Sequence, residues 1–311
     1  MDFLSNVDFW YTVLRCTTPI LFATTAALIA STSGVLNIGL EGAMTLAALF
    51  GVIGSGLSGS LAIGAISGMS AGILLTMVLA YVVLHLKANP IITGVALNLA
   101  AVGGSVFLLF TLTGDKNTSN SIRSLVFPNV DIAVIQDIPV LSLLSGHNIL
   151  TWLSFLCAAI AFVVLRRTKF GIKLRAVGEM PLAAESVGIN VTKVRYQALL
   201  ISGFLASLGG MYLSMAYVRR FTSGMIAGRG YIALATNAMA AGNPLLGMLS
   251  SALFGFGNAL SIYLQNRNID VYLINIVPYA FIIFFYVIIS LFQKKLETGK
   301  GINLSFYRRK K

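Results

Sequence analysis

The sequence predicts an all-α polytopic membrane protein with about nine transmembrane helices, within a range of eight to ten. Three observations carry this expectation. The 311 residues are 57% hydrophobic and only 10% charged, with a mean hydropathy of +0.86. A soluble domain holds about 25% charged residues, so this chain cannot cover a water-facing surface. Its apolar runs continue for roughly twenty residues, the length that crosses ~30 Å of hydrocarbon at ~1.5 Å per residue, whereas barrel strands would alternate in segments of about ten. The charges are also lopsided, 22 Lys and Arg against 10 Asp and Glu, and they gather outside the apolar runs.

The runs fall at about 14–31, 35–56, 61–84, 91–113, 148–165, 196–218, 230–243, 245–265 and 271–292. The first follows an N-terminus that carries Asp2 and Asp8 and no cationic stretch, so it reads as a retained span, not a cleaved signal. The second is entered through a Gly-rich break from Gly34 to Gly42. The third presents Gly64, Gly68 and Gly72 on one face, and the sixth presents Gly203, Ala206 and Gly210. Such faces let helix backbones approach closely. The run 230–243 is short and ends in Gly242-Asn243-Pro244, so it reads either as a crossing, which gives nine spans, or as half a helix.

The cations set the orientation. Arg166, Arg167, Lys169, Lys173, Arg175, Lys193 and Arg195 lie in one loop, and Lys294, Lys295, Lys300, Arg308, Arg309, Lys310 and Lys311 lie in the tail. The excess of cations on cytoplasmic loops puts both segments, and the C-terminus, in the cytoplasm. The segment with Lys116 and Arg123 against Asp115, Asp131 and Asp137 reads as external. One transmembrane domain therefore covers 1–311: a first half at about 14–113, an external segment 114–147, a span 148–165, a cytoplasmic loop 166–195, a second half 196–292 and a basic tail 293–311. Charge placed this way serves topology in a lipid bilayer, and binding of nucleic acid is set aside.

Catalytic chemistry finds no footing. Cys16 and Cys157 sit in or beside apolar runs without metal or redox spacing, and read as packing thiols. His85 and His147 each flank a span alone, so neither a zinc site nor a nucleophile–base pair can be assembled. No Gly-x4-Gly-Lys-Ser/Thr run occurs, so the chain does not bind ATP by a P-loop. The expectation is a protein that is not an enzyme and holds no cofactor.

Polar residues inside apolar segments are the functional candidates. Beyond Asp2 and Asp8, Glu41 is the only acidic residue in the first 110 positions. A charge at membrane depth costs roughly 2.5–3.5 kcal/mol on insertion scales unless water or a partner relieves it. With Asn37 beside it, Glu41 marks either a polar break near a pathway or a turn between two spans, where a helix start favours an acid. Asn98, Asn237 and Asn258 are amides on apolar helices, available either to a polar solute or to a neighbouring helix. Ser33-Gly34 before Gly39-Leu40-Glu41-Gly42-Ala43-Met44 is echoed by Ser223-Gly224 before Gly228-Arg229-Gly230-Tyr231-Ile232-Ala233, about 190 residues on. That echo is either an inverted repeat with interrupted helices, a transporter pattern, or chance similarity between Gly- and Ala-rich stretches.

The cytoplasmic loop reads Arg175-Ala-Val-Gly-Glu179-Met-Pro181-Leu-Ala183-Ala184-Glu185-Ser186-Val-Gly188. Met180-Pro181 opens a helix and Gly188 stops it. The product is a two-turn helix outside the membrane, either docked into a partner or lying on lipid. From Val177 to Gly188, with Ile201 to Gly210 after it, the sequence resembles the coupling-loop region of ABC importer permeases of the ribose, nucleoside and branched-chain amino acid branch. Asn37 to Met44 is similar to that branch's N-terminal motif. Arg229 to Ala235 and Gly242-Asn243-Pro244-Leu245 are similar to its second-half motif, in wording closest to nucleoside permeases.

The resemblance implies a vitamin-B12-importer-like permease fold in the cytoplasmic (inner) membrane of a prokaryote. It implies a cytoplasmic ATPase partner holding ATP and magnesium, a second permease subunit in a heterodimer rather than a homodimer, and an extracytoplasmic solute-binding protein or lipoprotein. It places Glu179, Pro181, Ala183, Ala184, Glu185, Ser186 and Gly188 in the coupling helix. It also implies that an N-terminal extra span found in some relatives is missing. Nucleosides are the first expectation for the solute, with a ribose-like sugar or a branched-chain amino acid as alternatives. Arg219 and Arg220 follow the sixth run on the external side, against the charge trend. They read either as forked partners for carboxylates on the solute-binding protein or as solvated or lipid-anchoring residues. An ion-coupled secondary transporter is the competing class, but it needs embedded acids, and only Glu41 and Asp270 offer themselves.

Overall fold

The computed structural model describes residues 7–130 and 145–265, together with 276–278, 280–281 and 283–288. Asp131, Asp137, Asp270 and the basic tail 293–311 lie outside the described residues. The helices are α1 (Val7–Thr32), α2 (Leu40–Ser58), α3 (Leu61–Leu84), α4 (Pro90–Thr113), α5 (Ile149–Arg167), α6 (Lys169–Glu179), α7 (Pro181–Ser186), α8 (Val191–Met211), α9 (Arg229–Ala240) and α10 (Pro244–Gln265). A π-helical turn, Tyr212–Tyr217, extends α8. The only paired strands named among the described residues are β1 (Asn129–Val130) and β2 (His147–Asn148), which are antiparallel.

Seven of the described helices are long and apolar enough to cross a membrane, and the chain is an all-α multi-pass membrane protein. Two expectations need adjusting. α1 is already helical at Val7, the first described residue and seven residues before the apolar run, and there Phe9 and Val13 are buried in a cluster with Ala259 of α10. The run 230–243 yields only the 12 residues of α9. At ~1.5 Å per residue these cover about 18 Å, too short to cross ~30 Å alone. A shorter apolar helix, Ile276–Ile288, falls within the last run.

The centre is built from α1, α2 and α8, whose residues are mostly buried, while α3, α4 and α5 turn much of their surface outward. Apolar burial does not drive helices together in lipid, so close backbone approach and hydrogen bonds must do it. Both are present. The glycine face of α3 lies against α2, and a Cβ on Gly68 would stand 2.8 Å from the Ala47 carbonyl oxygen and 2.6 Å from Met211 Sδ. Thr24 of α1 and Thr236 of α9 share a 2.5 Å hydroxyl hydrogen bond, and Ser251 of α10 donates to Thr24 Oγ1 at 3.0 Å. Three helices thus meet on buried hydroxyls.

The two ends of the bundle differ. One carries the basic segment with α6 and α7. Thr168 caps α6 by accepting from Gly171 N at 3.2 Å, and Pro181 opens α7. The other end is closed by residues 115–130 folding over the segment that follows α8. There Ser119 N donates to the Phe221 carbonyl (3.0 Å) and Ser223 N to the Asn117 carbonyl (2.8 Å). Asp115 starts that segment by accepting from Asn117 N and Thr118 Oγ1. These donors, the backbone one foremost, hold its carboxyl below the usual carboxylate range.

The glycine contact makes a testable distinction. Gly68→Val forces a side chain into the α2 backbone and should cost about 1–3 kcal/mol as overpacking does. A Cβ at Gly103 would meet nothing within 4 Å, so Gly103→Val should leave stability unchanged. Thermal unfolding in detergent should show a lower midpoint for the first variant alone; equal midpoints for both would contradict this account of the α2–α3 contact.

Candidate functional site

Beyond Thr32 the chain leaves α1 and runs without regular structure to Gly39 before α2 begins. Asn37 in this break is buried, and its Nδ2 donates to Ser202 Oγ of α8 at 2.9 Å. Gly39 stands at the start of α2 and has no side chain to cap it. A helix start leaves backbone N–H groups without intrahelical partners, and here a neighbouring helix supplies one acceptor: Gly42 N donates to Asn98 Oδ1 of α4 at 2.8 Å. The Asn98 amide donates in turn to the Ile38 carbonyl (2.8 Å) and to Tyr231 Oη of α9 (2.9 Å). One acceptor and two donors of that amide are thereby used, and α4, the break and α9 are stitched together.

The start of α9 has the same deficit. Its first flanking residue, Gly228, lies in the left-handed region at φ 78° and carries no cap of its own. The cap comes from Glu41 in the first turn of α2. Gly228 N donates to Glu41 Oε1 at 2.8 Å and Gly230 N donates to Oε2 at 2.7 Å. A carboxylate is favoured against helix N-terminal N–H groups, because the dipole there is positive. Glu41 stands at two such ends at once, its own and that of α9. The approach requires glycine at 230, since a Cβ there would lie 2.5 Å from Glu41 N and 2.7 Å from its Cα.

The depth of this junction follows from the helices beside it. Counted from the starts of the apolar runs at the basic end, 91 and 196, Asn98 lies seven residues in and Ser202 six. At ~1.5 Å per residue this is about 9–11 Å into ~30 Å of hydrocarbon. On the side of Glu41 away from the basic end lies a cavity of about 170 Å³. Thr45, Val102 and Ser105 wall it on one side, and Phe221 with residues 224–227 on the other.

Asn37, Glu41 and Asn98 are thus brought into one polar junction. Asn237 is not part of it: its amide pairs with Ser31 Oγ at 3.2–3.3 Å, joining α9 to the end of α1. Asn258 donates only to the Phe254 carbonyl of its own helix among its described bonds. Sequence reasoning did not single out Ser202, Tyr231, Thr45 or Ser105 as site residues. Tyr231 was within reach, because it adjoins the glycine pair that echoes the Glu41 motif. Ser105 carried no signal, being one serine on an apolar helix.

The loop residues behave unevenly. Glu179 is the last residue of α6, not part of α7, because Met180, with non-helical backbone at φ −141° and ψ 82°, separates the two helices. Ala184 is buried, whereas Ala183, Glu185, Ser186 and Gly188 are exposed, so Ala184 faces the bundle and the others face outward. Leu182, at 82% exposed, projects furthest. Gly188 ends the turn at φ 82°. Arg219 and Arg220 are exposed at the opposite end of α8, where Arg220 Nη1 donates to Asn120 Oδ1 at 3.1 Å.

Over residues 10–290 the chain matches the family described as branched-chain amino acid transport system, permease component. It is 31% identical over 312 residues to the nucleoside ABC transporter permease protein NupC of Lactococcus lactis, covering 96% of each protein. It is 32% identical to the guanosine ABC transporter permease protein NupQ of Bacillus subtilis, over 78% of each. A permease of Haloferax volcanii provisionally assigned to glucose is 31% identical, over 82% of this chain and 77% of that one. The chain belongs to the branched-chain amino acid transport permease family, the transmembrane subunits through which ABC importers pass small solutes.

Proposed function

We infer that this permease moves nucleosides. The observation that carries the reading is the end-to-end likeness to a nucleoside permease at 31% identity, reinforced by a guanosine permease at 32%. The glucose relative supports a second reading, a sugar solute. ABC family membership displaces the ion-coupled class, and the energy then comes from ATP and magnesium on a separate ATPase.

In this reading the basic end faces the cytoplasm of a prokaryotic cell, with the C-terminus on that side. The starts of α2 and α9 are the interrupted helices of an inverted repeat, meeting inside the membrane. α7 with Glu185, Ser186 and Gly188 docks into the ATPase. Arg219 and Arg220, at the other end, receive acidic residues of an extracytoplasmic solute-binding protein or lipoprotein. A second, different permease subunit completes the pore.

Uptake of guanosine into proteoliposomes containing this chain, its ATPase and its second permease should require ATP and the solute-binding protein, and should survive proton and sodium ionophores. Uptake driven by an ion gradient with this chain alone would overturn the reading, and uptake of glucose but not guanosine would replace the solute.

Two variants separate the ends. Gly188→Val forces a branched side chain into the left-handed region, so it should abolish coupled uptake at the ATPase face while leaving solute-binding protein docking intact. Arg219→Glu with Arg220→Glu should weaken docking at least several-fold and make the residue of it less salt-sensitive, with basal ATP hydrolysis unchanged. Normal uptake by the first variant, or unchanged docking across a salt series by the second, would remove the corresponding assignment.

A further inference from the structure

The cavity beside Glu41 has an unusual hydrogen-bonding balance. Its polar side chains are Glu41, Thr45 and Ser105, all buried. The hydroxyl protons are already committed: Thr45 Oγ1 donates to the Glu41 carbonyl at 2.7 Å and Ser105 Oγ to the Val102 carbonyl at 2.7 Å. What these hydroxyls offer the cavity is lone pairs. Glu41 offers more, since a carboxylate has about four acceptor positions and the α9 N–H groups take one on each oxygen. An occupant that bonds to these side chains must therefore donate.

Its charge is constrained as well. Helix starts at membrane depth usually receive the anionic group of a solute, because their N–H groups and dipoles point at it. Here Glu41, a residue of the chain itself, occupies that position for α9. A solute carboxylate or phosphate entering the cavity would meet the Glu41 carboxylate at close range and find the α9 N–H groups taken. The guanidinium of Arg229 lies close enough to act on Glu41 through its charge, but Arg229 is not among the residues lining the cavity and its Nη1 donates to the Met225 and Ile226 carbonyls.

We propose that this cavity is a solute subsite that takes the vicinal hydroxyls of an uncharged sugar ring, the two diol protons being accepted between the Glu41 carboxylate and the Ser105 and Thr45 oxygens. The proposal rests on the solute-permease reading and narrows it to neutral polyols. It unites the nucleoside and glucose readings through the vicinal ring hydroxyls that both kinds of solute carry, and it disfavours amino acids and nucleotides. About 170 Å³ suits the sugar part of a solute, with the remainder lying outside the cavity. Segment 224–227 is the wall on the side away from the basic end, so entry from that side passes Phe221 and this segment.

The test compares guanosine with 2′,3′-dideoxyguanosine in the complete importer in proteoliposomes, using the native chain, Ser105→Ala and Thr45→Val. Both substitutions remove one acceptor and leave the Glu41 bonds to α9 in place. Each should lower guanosine uptake about five-fold, the worth of one hydrogen bond, and leave dideoxyguanosine uptake unchanged. Because the solute-binding protein is the same throughout, its own preference cancels in the ratio. An equal fall for both solutes would show a structural effect and overturn the proposal, as would no change for either. If the native importer takes up no guanosine, the nucleoside reading fails by itself, and glucose against 2,3-dideoxyglucose, which has no vicinal ring hydroxyls, reads the cavity in the same variants with the same expected ratio.

Discussion

A single buried carboxylate in the first turn of α2 holds the start of α9, and so joins two helices that come from opposite halves of the chain. α9 is too short to cross the membrane, and its N-terminal N–H groups would face an apolar interior without an acceptor. Leaving a buried donor unpaired costs about 1–3 kcal/mol, so a helix that begins inside a membrane needs a cap supplied from elsewhere. Glu41 supplies it to α9 through Gly228 and Gly230. The cost of placing an acid at that depth and the cost of starting a helix there are offset by the same pair of bonds. Asn98 performs the neutral version of the same task for α2, through Gly42 N.

This junction is continuous with the basic end of the molecule. Seven residues, 33–39, separate α1 from α2. Gly34 packs against Gly178 of α6, where a Cβ on residue 34 would stand 3.2 Å from Gly178 Cα. Arg195 Nε donates to the Ser33 carbonyl at 3.3 Å. Asn37 then anchors the same stretch to Ser202. The platform that carries α7 therefore touches the short segment leading to Glu41, with no long flexible connection between them. A displacement of α6 would be felt first at Gly34, and through it at the two helix starts.

How much of this was legible depended on the kind of signal. Spans announced themselves by uninterrupted apolar length, and the glycine spacing at 64, 68 and 72 announced a close helix contact without naming its partners, which are α2 and α8. Glu41 stood out because an acid in an apolar stretch needs a reason, yet both sequence readings of it were incomplete. It does sit in the first turn of a helix, as an acid at a turn would, but the helix end it caps is one 187 residues away. A pairing so distant in sequence leaves no periodicity. The echo between the Glu41 motif and the Gly228-Arg229-Gly230 motif pointed to a relation, and the structure places the two stretches in direct contact. Asn98, Asn237 and Asn258 looked equivalent in sequence; only the first reaches the junction, because helix rotation and crossing decide which amide meets which backbone. Ala184 illustrates the same limit on a short helix, since one turn is enough to point it inward while its neighbours face out.

The most direct test of the Glu41 clamp is amide hydrogen exchange of the permease in lipid nanodiscs, comparing the native chain with Glu41→Gln. A glutamine keeps the size of the side chain but offers one acceptor in place of two and loses the charge. The backbone amides of 228–232 should exchange about ten- to a hundred-fold faster, as expected for losing a charge-assisted bond, while the α2–α3 contact around Ala47 and Gly68 keeps its protection. Unchanged exchange at 228–232 would contradict the claim that this carboxylate holds the start of α9.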